Sequence, residues 1–222
     1  MTPATAAPPR PSRPDLDERA ETFLEWIELH STWITIALVV LALIVGGIWF
    51  MRTAHRKQAE NASAALSDAE GSISAGNLAL AQTQLQSLLN RYGSTPAGKE
   101  AHLLLAQVYY DKGQFQQGVE QLKPLTTADD KFRSSTALNL VGAGYEEMGK
   151  YQDAADAYQQ AADRAPSTTE RSMFRANAAR ALGLAGKFAE AKKIWAELAA
   201  EPNGPVAAEA RVRLGELEAK TS

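Results

Sequence analysis

The chain has 222 residues, 45% of them hydrophobic, and a formal net charge of −3, enough for one substantial domain with additional segments. It has no cysteine, which excludes disulfides, thiolate metal sites, cysteine nucleophiles and a lipid-modified N-terminal cysteine. Of its 23 basic and 26 acidic residues, three and six fall in residues 1–32, and residues 52–222 are balanced at twenty each. There is thus no broad basic face for counterion-releasing contact, and nucleic acid is not an expected partner.

Residues 1–14 (MTPATAAPPRPSRP) hold five of the ten prolines and read as a disordered tail. Residues 15–32 follow as an acidic amphipathic helix, with Phe23, Leu24, Trp26, Ile27 and Leu29 set among the acids of Asp15 to His30. Such a helix suits a membrane surface, a partner, or simply the approach to the next segment. From Trp33 to Met51 come nineteen residues without a charge, WITIALVVLALIVGGIWFM. At ~1.5 Å rise per residue this run nearly matches a ~30 Å hydrocarbon core. Trp33 at one end and Trp49-Phe50 at the other suit the two interfaces. The run is longer than the ~7–15 residues of a signal h-region and lacks a following A-x-A-like site, so residues 33–51 are expected to be an uncleaved transmembrane helix.

Orientation is open at this level. Arg52, Arg56 and Lys57 lie close to the C-terminal end of the run, while Arg10, Arg13 and Arg19 lie well back from its start. Proximity favours a cytoplasmic C-terminal side, yet long domains are translocated largely regardless of flanking charge.

The remainder, 52–222, begins with an Ala- and Gln/Glu-rich stretch from Arg52 to Ser72 that is expected to carry the membrane helix into the first helix of a soluble domain. Four glycines then recur, Gly76, Gly113, Gly149 and Gly186, separated by 37, 36 and 37 residues. Each precedes a polar residue and a large apolar one: Asn77-Leu78, Gln114-Phe115, Lys150-Tyr151 and Lys187-Phe188. A fixed period in the range of about 20–50 residues marks stacked repeats, each unable to bury its own apolar face. The clearest unit is Ser135–Pro166, with Gly142, Ala143 and Tyr145 in its first helix and Ala154, Tyr158 and Ala161 in its second. The unit before it has Leu105, Ala106, Tyr109, Phe115, Gly118, Leu122 and Leu125. The unit after it has Ala178, Ala179, Leu182, Phe188, Ala191, Trp195 and Leu198. A weaker first copy has Ala69, Leu78, Ala81, Leu85 and Leu88. Each ladder glycine suits a left-handed helix cap. Pro205–Lys220 reads as a terminal capping helix.

The set Gly142, Tyr145, Gly149, Tyr151, Ala154, Tyr158, Ala161 and Pro166 resembles the tetratricopeptide repeat, with neighbouring units a few residues longer than the usual ~34. The expected fold is all-α: a single N-terminal transmembrane helix, then a tetratricopeptide solenoid of about three and a half helix pairs with a C-terminal capping helix. The whole arrangement is similar to the ancillary SecYEG translocon subunit (YfgM-like) family of bacterial inner-membrane proteins. That resemblance implies a periplasmic repeat domain near SecYEG and periplasmic chaperones. It also implies a scaffold for protein partners or emerging polypeptides.

No catalytic or cofactor pattern accompanies the repeats. His30, His55 and His102 lie in three separate regions without metal-ligand spacing, and no phosphate loop, nucleophile elbow or HExxH is present. No enzyme activity, cofactor, metal or small-molecule substrate is expected. In repeats of this type the first helices line the concave side, so Leu103, Gln107, Tyr110, Asn139, Ala143, Glu146, Ala176 and Arg180 are the candidate protein-binding groove. Being mostly neutral or acidic, with Arg180 the main exception, they argue against a carboxylate clamp. The alternative function is a cytoplasm-facing, membrane-tethered adaptor unrelated to secretion.

Overall fold

The computed structural model describes residues 16–221, so the tail expected over 1–14 lies outside the described residues, as does Asp15. Among the described residues the chain is all-helical: α1 (Leu16–Ser74), α2 (Leu78–Tyr92), α3 (Pro96–Asp111), α4 (Phe115–Thr126), α5 (Lys131–Glu147), α6 (Tyr151–Arg164), α7 (Thr168–Leu184), α8 (Phe188–Ala199) and α9 (Ala207–Thr221). The contacts divide it into one unit ending at Arg56 and a second beginning at Lys57.

In the first unit α1 is a single helix of 59 residues, and no boundary falls at residue 32 or 51. Gly46, Gly47 and Gly71 lie within it without breaking it. Every side chain from Val39 to Arg52 is exposed. Among the described residues α1 is the one helix long and apolar enough to cross a membrane, and a helix apolar on all sides needs an apolar surrounding.

The second unit is a set of helix pairs in which each first helix, A, is followed by a second, B. Residues 57–74 of α1 serve as the first A helix, so the weak first copy has its own B helix but a borrowed A helix. The remaining A helices are α3, α5 and α7, the B helices are α2, α4, α6 and α8, and α9 closes the array.

The glycine ladder dictates how each A helix turns into its B helix. Gly76, Gly113, Gly149 and Gly186 have φ of 74°, 70°, 70° and 77°, where an L side chain would cost ~1–2 kcal/mol. The polar residue after each glycine donates its N–H five residues back: Asn77 to Ser72 O (2.9 Å), Gln114 to Tyr109 O (2.8 Å), Lys150 to Tyr145 O (2.9 Å) and Lys187 to Leu182 O (2.9 Å). This is the Schellman cap, four times over, and it satisfies carbonyls that the helix end leaves unpaired. The same polar residue then opens the B helix, its carbonyl accepting from Ala81, Gly118, Ala154 or Ala191 N–H.

Those four small residues are buried, and so are the two sets that follow them in register, Leu85, Leu122, Tyr158, Trp195 and Leu88, Leu125, Ala161, Leu198. Burying each leucine contributes ~1.5–3 kcal/mol. In the A helices the residue seven before the ladder glycine (Ala69, Ala106, Gly142 or Ala179) is small and buried. The reason is close approach: a Cβ on Gly142 would lie 2.6 Å from Tyr158 Cε1.

The A helices also carry their own start signals. Thr95, Asp130 and Ser167 side chains accept from Gly98, Arg133 and Glu170 N–H. Ala165, at ψ 129°, ends α6 because the residue before Pro166 is disfavoured in the helical region. The capping helix α9 starts at Ala207, two residues later than expected, leaving Pro205 and Val206 outside it.

Candidate protein-binding face

The expected groove residues occupy three fixed places, ten, six and three residues before the ladder glycine: Leu103, Gln107, Tyr110 on α3; Asn139, Ala143, Glu146 on α5; Ala176, Arg180 on α7. Positions i, i+4 and i+7 share one face of a helix. The third place on α7 is Gly183.

On α3 this face is committed largely to packing. Leu103 and Tyr110 pack against the cluster of Ala106, Val119, Leu122 and Val141. The Tyr110 ring reaches over α4 and α5: a Cβ on Gly118 would lie 2.2 Å from its Cε1, and one on Gly144 2.4 Å from its hydroxyl oxygen. The hydroxyl donates to Leu140 O of α5 at 2.8 Å. Burial, and then the neighbouring Tyr145, push its pKa upward, so it stays a donor at physiological pH. Gln107 is exposed and donates to Asp111 Oδ1 on the next turn at 2.9 Å.

The α5–α7 crossing carries a polar network instead. Asn177 Nδ2 donates to Asn139 Oδ1 at 3.1 Å. Arg180 Nη1 donates to Glu146 Oε1 at 2.5 Å, and its Nη2 reaches Asn177 Oδ1 at 3.4 Å. The Tyr158 hydroxyl of α6 donates to Glu146 Oε2 at 3.0 Å. Burial, followed by the negative charge of Glu146, raises the Tyr158 pKa. The Glu146 side chain is 16% exposed and that of Arg180 43%. The network therefore has a sheltered acceptor and an open cationic edge.

The structure thus brings Asn139, Glu146 and Arg180 together. Ala143 is half-buried beside them, and Ala176, at 7% exposure, belongs to the core with Ala179 and Leu182. As a residue facing a bound segment Ala176 is corrected: it has no accessible side chain to offer. Two participants escaped the sequence reading. Asn177 lies one residue out of register with Asn139, and Tyr158 reads as packing alone; an aromatic opposite a helix glycine with an acid one turn further on is the signal that points to its hydroxyl. Among the described residues no group of three or more His, Cys, Asp or Glu is placed to hold a metal ion.

Comparison with known proteins agrees with this geometry. A family model described as a tetratricopeptide repeat-like domain matches residues 25–131 and 64–179. The nearly identical TPR-like repeats described for a putative kinesin light chain of Podosopora anserina superpose with a TM-score of 0.54 at 18% identity, covering 75% of this chain and 86% of theirs. A glutamine-to-methionine variant of the same repeats gives the same TM-score and identity, covering 75% and 85%. A search of curated proteins returns no match. With the matched residues spanning well over half its length, this chain belongs to the tetratricopeptide repeat-like family.

Proposed function

We propose that this protein is a membrane-anchored tetratricopeptide scaffold that binds protein partners or emerging polypeptides at the bacterial inner membrane and performs no chemistry. The observation that carries this reading is the A-helix face, where Gln107 and the Asn139–Asn177–Arg180–Glu146 network offer donors and acceptors on rigid helices, in a chain whose α1 is apolar enough to serve as a tether. Helix-borne polar groups held by one another keep their geometry when a partner arrives, which lowers the ordering cost of binding. The overall arrangement supports a finer reading: a periplasmic repeat domain acting like an ancillary subunit of the Sec translocon, near SecYEG and periplasmic chaperones.

Arg52, Arg56 and Lys57, all exposed just past the apolar run, favour a second reading, a cytoplasm-facing adaptor. Protease treatment of intact spheroplasts separates the two. Cleavage of the repeat domain is expected for the periplasmic scaffold; protection until lysis would replace it with the adaptor. For the binding face, Gln107→Ala combined with Arg180→Ala is expected to lower crosslinked partner recovery at least fivefold with an unchanged circular dichroism spectrum. Undiminished recovery would overturn the face.

A further inference from the structure

The place three residues before the ladder glycine holds Ile73, Tyr110, Glu146 and Gly183 in successive repeats. Ile73 packs into the first core cluster, Tyr110 reaches the next A helix through Leu140 O, and Glu146 reaches the next through Arg180. Gly183 has nothing to reach with, and a hollow of about 370 Å³ opens there between α7, α8 and α9. Trp195 and Leu217 form its buried floor, and Leu184 and Phe188, 51% and 39% exposed, stand at its mouth.

The fold does not require a glycine at this place. Gly183 lies inside α7 without a positive φ, and a Cβ built on it meets nothing within 4 Å. That contrasts with Gly118, Gly142 and Gly144, where a Cβ would strike a tyrosine. A helix-interior glycine is unfavourable relative to alanine, and this one gains no packing in exchange. What it leaves is open space over an apolar floor, more than twice the ~150 Å³ cavity that takes up benzene.

We propose that this hollow is an anchor site for an aromatic side chain, borne by an acidic extended segment of a partner protein. The inference rests on the protein-binding reading above and deepens it. Aromatic chemistry follows from the lining and from register: the same place in α3 is filled by a tyrosine ring. Acidity follows from charge, since Arg180 and Arg213 line the hollow against the single acid Glu216. Each guanidinium has five N–H donors. Arg180 uses Nη1 on Glu146 and a long Nη2 contact on Asn177, and Arg213 uses Nη1 on Glu216 and approaches Glu209 through Nε at 3.7 Å. Donors remain on both for a carboxylate flanking the anchor.

The test uses the full chain in nanodiscs and a fluorescein-labelled peptide, Gly-Ser-Asp-Phe-Glu-Ser-Gly, read by anisotropy. Binding is expected to be at least tenfold tighter than for a counterpart with alanine in place of phenylalanine, or with lysines in place of the acids. Gly183→Phe, which fills the hollow from within, is expected to weaken binding at least tenfold, and Gly183→Ala less than threefold. Leu184→Glu, at the exposed mouth, is expected to weaken it at least fivefold and covers the event that Gly183→Phe fails to fold. Equal affinity for the phenylalanine and alanine peptides, or for the acidic and lysine peptides, would overturn the proposal. So would a Gly183→Phe protein that folds and binds unchanged. Dissociation of a dimer by Gly183→Phe with peptide binding intact would assign the hollow to a second copy instead. Partner recovery with the Gln107/Arg180 double variant, measured in the same membranes, distinguishes the two levels: loss there with Gly183→Phe harmless keeps the binding face and removes the anchor.

Discussion

The α3–α5 and α5–α7 crossings stand one repeat apart and in the same register, yet they are held by opposite chemistry. At the first, Tyr110 lies against the bare backbones of Gly118 and Gly144 and spends its hydroxyl on Leu140 O. At the second, Glu146 accepts from Tyr158 and from an arginine whose side chain is 43% exposed. A buried ring converts its place on the face into core, whereas an ion pair leaves its place open to solvent. Moving toward the C-terminus, one place in the repeat passes from a packed ring to a half-open ion pair to the hollow at Gly183. Recognition is therefore concentrated toward the α5–α7–α9 end.

The largest effect that tests this contrast is Tyr110→Ala. It removes a half-buried ring from a site whose glycine neighbours have no side chains to fill the space, and it leaves Leu140 O without that partner. The expected loss is ~3–4 kcal/mol of unfolding free energy, measured by urea denaturation of the full chain. A loss below ~1 kcal/mol would show that the α3–α5 crossing does not depend on the ring. Partner recovery with this variant reports on folding first, so Tyr110 is a poor probe of the binding face.

The difference between Tyr110 and Gln107 shows where the sequence is legible and where it is not. The ladder glycines, the in-register triplets such as Ala154, Tyr158 and Ala161, and the left-handed caps all follow from local rules of helix capping and period. Tyr110 shares a helical face with Gln107, and nothing local says that one turns inward while the other stays wet. The missing Cβ atoms that admit the ring are on Gly118 and Gly144, one on the following helix and one on the helix after that. Ala176 misleads for a related reason: an alanine on the expected face is as easily covered by a neighbouring helix as left open. The pairing of Arg180 with Glu146, 34 residues apart, needs the crossing of two A helices, which depends on side chains throughout both. Continuity of α1 through residues 32 and 51 is readable only past the apolar run, where the Ala-rich junction favours helix.

Tyr158→Phe sharpens the comparison from the other side. It keeps the ring against Gly142 and removes only the donor to Glu146, so a loss of ~0.5–1.5 kcal/mol is expected, with Tyr110→Phe giving a similar value at the first crossing. If Tyr158→Phe cost as much as Tyr110→Ala, the polar network would be carrying core-sized energy. Gly183→Ala, by contrast, should raise stability by ~0.5–1 kcal/mol, because its Cβ enters open space in a helical backbone. Gly144→Ala should lower stability, since the new carbon would lie 2.4 Å from the Tyr110 hydroxyl. Thermal melts of the two glycine variants moving in the same direction would contradict the distinction between a glycine required by packing and one the fold does not need.

The smallest expected effect is at Arg180, and its salt dependence matters more than its size. The pair has one sheltered and one exposed partner, so most of its Coulomb attraction is screened by solvent, and Arg180→Ala should cost no more than ~1 kcal/mol. The Debye length falls from about 30 Å at 0.01 M salt to about 3 Å at 1 M, so the loss should shrink across that range while the Tyr110→Ala loss stays constant. A double-mutant cycle of Arg180→Ala with Glu146→Gln isolates the pair from Tyr158 and Asn177. A coupling above ~1.5 kcal/mol that is insensitive to salt would make the α5–α7 network a structural lock like Tyr110. It would also mean that Arg180 is too tightly held to greet a partner. A small, salt-sensitive coupling is the result that leaves this arginine free to exchange Glu146 for an incoming carboxylate.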